Sequence, residues 1–192
     1  MDLSKAIYLP FDTPFMTVDI DQTAKNIRKM QEIANRNGEK LRPHSKTHKI
    51  PELSKMEIEA GAVGICVQKT AEAEVKFNGG IRNIPLSNET FGNKFQRIGK
   101  LTSMGCNLTL AIDNLPSLDQ FSEARKYFGI EGNVLIDVNI GMNRCGIEPD
   151  RIDLLLERME KYNDLNLLGI MAYDGQVSSP EIKKREEEVK NG

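Results

Sequence analysis

The chain has 192 residues, of which 39% are hydrophobic and 28% charged, and its formal net charge is −2. This composition is typical of a globular domain with its own core, and so small a charge gives no reason to expect a nucleic acid or an anionic membrane as partner. No apolar run is long enough to span a bilayer. The N-terminal stretch lacks the apolar region of a secretory signal, and three scattered cysteines indicate reduced thiols, so we expect a cytoplasmic protein.

Short apolar runs alternate with amphipathic stretches along the whole chain. Residues 15–20 (FMTVDI) predict a strand, after which Asp21 would cap a helix closed by Gly38. The next six strands are predicted at residues 40–46, 63–68, 83–88, 107–113, 133–140 and 166–173. The helices between them are predicted at residues 51–61, 70–80, 94–105, 115–129 and 149–162.

This regular alternation predicts parallel strands joined by helical crossovers. Either a doubly wound open sheet or a (β/α)₈ barrel would satisfy it. No GxGxxG or GxxxxGK[ST] motif follows a strand, which removes the best argument for a nucleotide-binding open sheet. We therefore expect an incomplete (β/α)₈ TIM barrel with about six of its eight strands.

We divide the chain into an N-terminal strand and helix at 1–40 and a partial barrel at 41–192. The chain ends in the charged stretch EIKKREEEVKNG, which is either a binding arm or, by our preference, the solvated face of a helix that truncation has cut off. We therefore expect the sequence to be a fragment of a longer protein.

Both histidines of the chain lie in RPHSKTH, at positions 44 and 48, on either side of Lys46. Pro43 and Pro51 enclose the segment too closely for a helix, which argues against a zinc-binding helical histidine pair. In an extended segment, His44, Lys46 and His48 would share one face. The two histidines have no third ligand nearby, so we predict no metal site in this chain.

Lys46 would lie near the carboxyl end of the first barrel strand, where barrel enzymes place their chemistry. Partial desolvation and the neighbouring cation Lys49 would favour the neutral amine, which is the nucleophile for Schiff-base formation. The alternative, a solvated surface lysine, stays open on these residues alone.

Several segments closely resemble, in order, those of D-threonine aldolases and eukaryotic-type D-serine dehydratases. These are fold-type III enzymes that use pyridoxal 5′-phosphate (PLP), as alanine racemase does. The HSKTHK element is the most specific, and the joint occurrence over nearly the whole chain makes chance improbable. The matching segments are TPFMTVDIDQTAKNI (13–27), RPHSKTHK (42–49), AGAVGICVQKTAEAE (60–74), DVNIGMNRCGIEP (137–149) and GIMAYDGQ (169–176).

The resemblance implies a PLP-binding barrel of the alanine racemase N-terminal type, followed by a mostly β C-terminal domain that is absent here. Residues 15–20 would then pack with that domain. Lys46 matches the lysine that binds the cofactor covalently, and Arg144 matches the arginine near its phenolic oxygen. Tyr173 would line the cofactor pocket and His48 would lie at its edge, whereas we expect His44 to be a hydrogen-bonded structural residue.

The implied activity is that of a PLP-dependent lyase on β-hydroxy D-amino acids, most similar to a D-threonine aldolase and alternatively to a D-serine dehydratase. Both use a divalent metal, whose ligands the resemblance places outside this chain, and the whole enzyme is expected to be a homodimer. We expect the 192 residues alone to be inactive. Three other hypotheses remain: a non-catalytic PLP-binding barrel, a Schiff-base aldolase without cofactor, and a binding module in which Lys46 is idle.

Overall fold

The structure, a computed structural model, describes residues 12–191. The first eleven residues, which include most of the segment examined for a secretory signal, lie outside the described residues. The helices are α1 (Ile20–Arg36), α2 (Pro51–Glu59), α3 (Thr70–Asn78), α4 (Lys94–Ser103), α5 (Leu115–Phe128), α6 (Ile152–Met159) and α7 (Ile182–Asn191). The strands are β1 (Asn83–Leu86), β2 (Asn107–Ile112), β3 (Gly132–Val138) and β4 (Leu165–Ala172).

The strand predicted at residues 15–20 is wrong. Residues 15–19 are irregular and α1 begins at Ile20. The predicted cap, Asp21, lies inside the first turn, and Asp19 is the N-cap instead. Its Oδ1 accepts a hydrogen bond of 2.9 Å from the backbone N–H of Gln22. A carboxylate in this position pairs one of the free N–H groups of the first turn, so the helix starts inside the apolar run.

The four strands form one parallel sheet in the order β1-β2-β3-β4. Ile84 of β1 lies beside Leu108 of β2, and Ile136 of β3 lies beside Ile170 of β4. A strand order that follows the chain without reversal is that of a barrel, because a doubly wound sheet changes direction at its switch point. The observed order therefore favours the predicted barrel over the open sheet.

Two further extended segments, residues 41–45 and 63–67, precede β1 and continue the sheet. The Cys66 N–H donates to the Pro43 carbonyl at 2.8 Å, and the Ser45 N–H donates to the Cys66 carbonyl at 2.9 Å. The second segment joins β1 through the Val67 N–H and the Pro85 carbonyl, 2.9 Å apart. Their β pairing is limited to isolated parallel bridges, so these strands are shorter than predicted. Six adjacent parallel segments result.

Both faces of the central strands are covered. In β2, five consecutive residues from Leu108 to Ile112 are buried, as expected when helices cover one face and a barrel interior the other. The helices between the strands begin and end at local signals. The Asn114 side chain accepts a hydrogen bond of 2.9 Å from the Ser117 N–H at the start of α5, and Gly129, with φ 63°, ends that helix.

The C-terminal charged stretch forms α7, whose described side chains are almost all exposed. This agrees with a solvated helix face. None of the helices within residues 12–191 combines the length and the apolar character that crossing a bilayer would require.

Candidate functional site

Lys46 lies in a turn at the carboxyl end of the first extended segment. The strand pairing stops at Ser45, and the chain then folds back so that the Lys49 N–H donates to the Ser45 carbonyl at 2.9 Å. Lys49 itself has a positive φ of 56°, which is unusual for a side chain other than glycine. The expected common face of His44, Lys46 and His48 on an extended strand is therefore wrong, because the turn rotates the later side chains out of the strand's alternation.

The side chain of Lys46 reaches an aromatic ring from the far end of the sheet. Its Nζ lies 5.9 Å from the ring centroid of Tyr173, which follows β4. In a flat sheet, the first and sixth strands would be about 24 Å apart. The short distance therefore requires that the sheet curve, as in a barrel, so that both strand ends face one mouth.

Arg144 meets the same ring. Its Cζ lies 5.0 Å from the Tyr173 centroid, within the range of a cation–π interaction. Lys46, Arg144 and Tyr173, three of the four residues predicted for the site, therefore cluster at the barrel mouth. Within residues 12–191, neither Lys46 nor Arg144 forms an ion pair or a side-chain hydrogen bond. Both cationic groups are exposed and available to a ligand.

The loop that carries Arg144 is fixed by its own side chains. The Asn139 Oδ1 accepts hydrogen bonds from the backbone N–H groups of Gly141 and Asn143, at 3.2 and 3.0 Å. Gly146, with φ 100°, lies directly against the backbone of Val138 and Asn139, so a side chain at this position would collide with the strand end. The glycine-rich sequence therefore folds the loop back over the end of β3.

Three carboxyl groups that interact electrostatically lie at or near the ends of three successive strands. Glu89 follows β1, Asp113 follows β2 and Asp137 lies within β3. Asp113 accepts a hydrogen bond from the Gly146 N–H at 2.9 Å, which ties the Arg144 loop to the next strand. Burial, together with Asp113, raises the pKa of Glu89 to about 9 and that of Asp137 to about 6. Glu89 is therefore neutral at pH 7, while the guanidinium of Arg144 opposes the rise at Asp137.

His44 is a hydrogen-bonded structural residue. Its Nδ1 accepts a bond of 3.3 Å from the Lys46 N–H, and its Nε2 lies 3.3 Å from Ser87 Oγ. Because Nδ1 accepts, the neutral ring carries its proton on Nε2 and donates it to Ser87. Burial and the charge of Lys46 lower the pKa of His44 and keep the ring neutral.

His48 makes its contacts on the helix side of the turn. Its Nδ1 accepts a hydrogen bond of 3.1 Å from the Ile50 N–H. Burial and the nearby ammonium of Lys76 in α3 lower the pKa of His48. These contacts join His48 to the packing between α2 and α3, whereas the ring of Tyr173 contacts Lys46 and Arg144.

The cluster at the mouth has the chemistry that PLP requires. A primary amine can bind the aldehyde of the cofactor, and a guanidinium can neutralise the phenolic oxygen beside that aldehyde. Lys46 and Arg144 supply these two groups next to one aromatic ring. A candidate metal site is not found among residues 12–191, where no three or more His, Cys, Asp or Glu side chains are arranged so that they could hold an ion.

Sequence reasoning missed several residues near the site. The carboxyl cluster could have been predicted from the sequence, because an acidic residue lies at or just after the end of three successive strands. The burial of Glu72 and Lys76 in α3 could not have been predicted, since in the sequence these charged residues resemble the solvated side of an amphipathic helix.

The chain matches the family model of the alanine racemase N-terminal domain over residues 18–191. It is 35% identical over 180 residues to the D-threonine aldolase of Arthrobacter sp., a match that covers 93% of this chain and 47% of that protein. It is 29% identical over 178 residues to the D-threo-3-hydroxyaspartate dehydratase of Delftia sp. (strain HT23), covering 90% of this chain and 47% of the other.

The crystal structure of the D-threonine aldolase from Filomicrobium marinum has a TM-score of 0.86 with this chain at 33% identity, over 92% of this chain and 48% of that one. The chain thus spans about half the length of the relatives it matches. Both the resemblance found in the sequence and the predicted fold are confirmed. This chain belongs to the alanine racemase N-terminal domain family and has the barrel-type α/β fold of that family, partial relative to its homologues.

Proposed function

We propose that this chain is the cofactor-binding part of a PLP-dependent lyase that acts on β-hydroxy D-amino acids. One observation carries the proposal: the amine of Lys46 and the guanidinium of Arg144 meet at the ring of Tyr173 without ion-pair partners in the described chain. The named relatives, an aldolase and a dehydratase of such substrates, support the reaction class. Activity is proposed for the whole protein, because the chain spans about half of each relative.

In this proposal each residue at the mouth has one role. Lys46 binds the cofactor covalently, Arg144 balances the charge of the phenolic oxygen, and Tyr173 holds both cationic side chains by cation–π contact. When bound, PLP draws electrons from the substrate Cα and so allows a bond at or next to that atom to break. His48 accepts a hydrogen bond from the Ile50 N–H within the turn that carries Lys46, and its place at the edge of the pocket stays a prediction.

The proposed reaction is retro-aldol cleavage of D-threonine or a similar substrate. A base removes the proton of the β-hydroxyl group, the Cα–Cβ bond breaks and releases an aldehyde, and addition of a proton at Cα completes glycine. The higher identity to an aldolase, 35% against 29% for the dehydratase, supports this choice. In the alternative, Lys46 removes the α-proton, the β-hydroxyl leaves, and hydrolysis gives an oxo acid and ammonia.

The domain division is part of the same proposal. Residues 1–40 lead into a barrel that begins at residue 41, and the C-terminal β domain expected from the resemblance would complete the substrate pocket. A divalent metal that holds the β-hydroxyl would bind there, through residues outside this chain. A cytoplasmic homodimer is the assembly that we propose for the whole enzyme.

Trapping with borohydride tests the cofactor site without requiring activity. The 192-residue chain is mixed with PLP, reduced, digested and mapped by mass spectrometry for pyridoxyl-lysine. We expect Lys46 to carry more label than any other lysine, even if binding is weak and brief, and Lys46→Ala to leave no lysine labelled in preference to the others. Arg144→Met, which removes the guanidinium and keeps an unbranched apolar side chain, would reduce labelling at Lys46.

Lys29→Ala is the matched control, because this lysine is exposed on α1 and lies outside the loop that carries Lys46. Its removal leaves labelling of Lys46 unchanged in our proposal. Labelling spread evenly over the exposed lysines would refute a cofactor site at Lys46. In the whole protein, products then separate the two reactions: D-threonine yields glycine and acetaldehyde under the aldolase proposal, and 2-oxobutanoate and ammonia under the alternative.

A further inference from the structure

Helix α3 turns two charged side chains inward. Lys76 is fully buried, at 0% exposure, and Glu72 is 7% exposed. The two lie four residues apart, which places them on one face of the helix. Charged side chains are rarely buried so completely unless they are paired, so their partners indicate what this face does.

Lys76 holds the end of the loop that carries Lys46. Its Nζ donates hydrogen bonds of 2.9 Å to the Ile50 carbonyl and to Ser54 Oγ of α2. Ile50 is the residue before α2, and its N–H donates to His48. Through one backbone carbonyl, Lys76 therefore fixes the point at which the loop enters α2.

Glu72 contacts the adjacent residue of that loop and also the segment that leads into its own helix. Its Oε2 accepts a hydrogen bond of 2.9 Å from the Gln68 N–H, and its Oε1 lies 3.7 Å from the ammonium of Lys49. Lys49 is the loop residue with positive φ, a backbone conformation that needs outside support. Glu72 and Lys76 thus contact two consecutive loop residues, Lys49 and Ile50.

Burial lowers the pKa of Lys76, while the carboxylates of Glu57 and Glu72 oppose the shift. An ammonium held in this environment costs desolvation energy, which its two hydrogen bonds and two nearby carboxylates offset. The arrangement matters for Lys46 because the Lys46 side chain has no hydrogen bond of its own in the described chain. Apart from the contact with the Tyr173 ring, its amine is aimed by the backbone from which it projects.

We propose that Glu72 and Lys76 are positioning residues that fix the backbone of residues 45–50 and thereby direct the Lys46 amine into the barrel mouth. The claim that the directed amine binds a cofactor rests on the proposed function, whereas the claim that α3 fixes the loop backbone does not. The two parts are therefore tested by separate measurements.

Hydrogen exchange tests the fixing of the loop. Lys76→Met removes the charge and both hydrogen bonds but keeps a side chain of similar length. We expect the amides of Lys49 and Ile50 to exchange at least about tenfold faster in this variant. Leu155→Ala is the control, because Leu155 is 1% exposed in α6 and its truncation lowers global stability away from the loop. Equal acceleration in both variants, or none in Lys76→Met, would overturn the proposal.

Glu72→Gln is the second variant and decides the matter if Lys76→Met fails to fold. The amide still accepts from the Gln68 N–H but loses its attraction for Lys49. We expect about threefold faster exchange at Lys49 and little change in the core strands. Unchanged exchange at Lys49 in a folded Glu72→Gln protein would count against the proposal.

Pyridoxyl labelling tests the direction of the amine. In folded Lys76→Met, we expect Lys46 to lose its preference over the other lysines, whereas Leu155→Ala retains it. If the wild-type chain shows no preference for Lys46, the proposed function fails, and the exchange comparison still decides whether α3 fixes the loop. If the preference exists and survives Lys76→Met, the positioning role is refuted and the proposed function stands.

Discussion

Strands β3 and β4 are neighbours in one sheet, pair along their whole length and are both rich in apolar residues, yet their burial differs sharply. Ile136 of β3 is 1% exposed, whereas its partner Ile170 of β4 is 63% exposed. β3 has a strand on each side and helices against it, while β4 is the last strand of the described sheet. An apolar run thus predicts a strand, but its burial depends on neighbours that the run itself does not specify.

The two strands also end differently. Asp137 of β3 is 5% exposed and lies among other carboxyl groups, whereas Tyr173, directly after β4, is 45% exposed and faces two cations. One end of the mouth is thus a buried cluster of acidic groups and the other an accessible aromatic surface. We expect a ligand to contact mainly the aromatic surface. At the acidic cluster we expect burial of the carboxyl groups to lower the stability of the fold.

Truncation of the paired isoleucines is expected to show the largest difference between the strands. Ile136→Ala removes buried methyl groups and leaves a cavity, which lowers the free energy of unfolding by about 3–4 kcal/mol. Ile170→Ala removes atoms that are already solvated, and its effect stays within about 0.5 kcal/mol. Urea unfolding followed by far-UV circular dichroism measures both.

The outcome also tests whether β4 is an edge in solution. A loss of more than about 2 kcal/mol in Ile170→Ala would mean that this face is covered, for example by association of two chains. Repeating the measurement at several protein concentrations separates the two cases, because only an associated form gains stability with concentration.

The second largest expected effect is a pH-dependent change in stability on replacing Asp137, at the end of β3. The pKa of Asp137 is raised to about 6 by burial and by Asp113, against an ordinary value of 3.8. A carboxyl group whose folded-state pKa is raised destabilises the fold as pH rises from its unfolded pKa to its folded pKa, and fully above it. Asp137→Asn is therefore expected to stabilise the protein by about 2 kcal/mol at pH 7 and much less at pH 4.

Asp113 and Glu89 interact electrostatically with Asp137 from the ends of β2 and β1, and Arg144 interacts with it from the loop. The variant loses the attraction to Arg144 as well, which is smaller than the cost of burial. Asp150→Asn, at an exposed position, is the control and should show no comparable pH dependence. A stabilisation that is equal at pH 4 and pH 7 would contradict the assignment of a raised pKa.

The sequence was sufficient for the order and type of most elements. Helical periodicity and end signals such as Pro51 and Gly129 placed the helices of the barrel within a few residues. The prediction of an N-terminal strand was wrong because the apolar pattern of residues 15–20 does not show where the helix begins. Asp19 and Asp21 are both suitable caps, and the backbone conformation that selects Asp19 cannot be read from that pattern. The first two barrel strands were predicted too long for a similar reason, since pairing partners determine where a strand ends.

Part of the site was also predictable. Lys46 and Arg144 stand in segments with specific family resemblance, and the contact of both with Tyr173 follows once the sheet curves. The placement of His48 was not predictable from alternation, because the turn at Ser45–His48 breaks the strand period. Lys76 was missed because a helical lysine is usually solvated, and only the packing of α3 against α2 places it inside.

The smallest expected effect is at the end of β4, where Gly175 makes room for the Tyr173 ring. A Cβ at position 175 would lie only 2.6 Å from Tyr173 Oη, so Gly175→Ala must displace the ring. Because that ring is partly exposed and free to turn, stability should change by less than about 0.5 kcal/mol. The ring-current shift of the Lys46 ε-protons, measured by NMR, should fall, and we expect the same fall in Tyr173→Leu. An unchanged shift would mean that Lys46 and the ring are not in contact in solution, and the curved mouth inferred from that contact would then lack its main support.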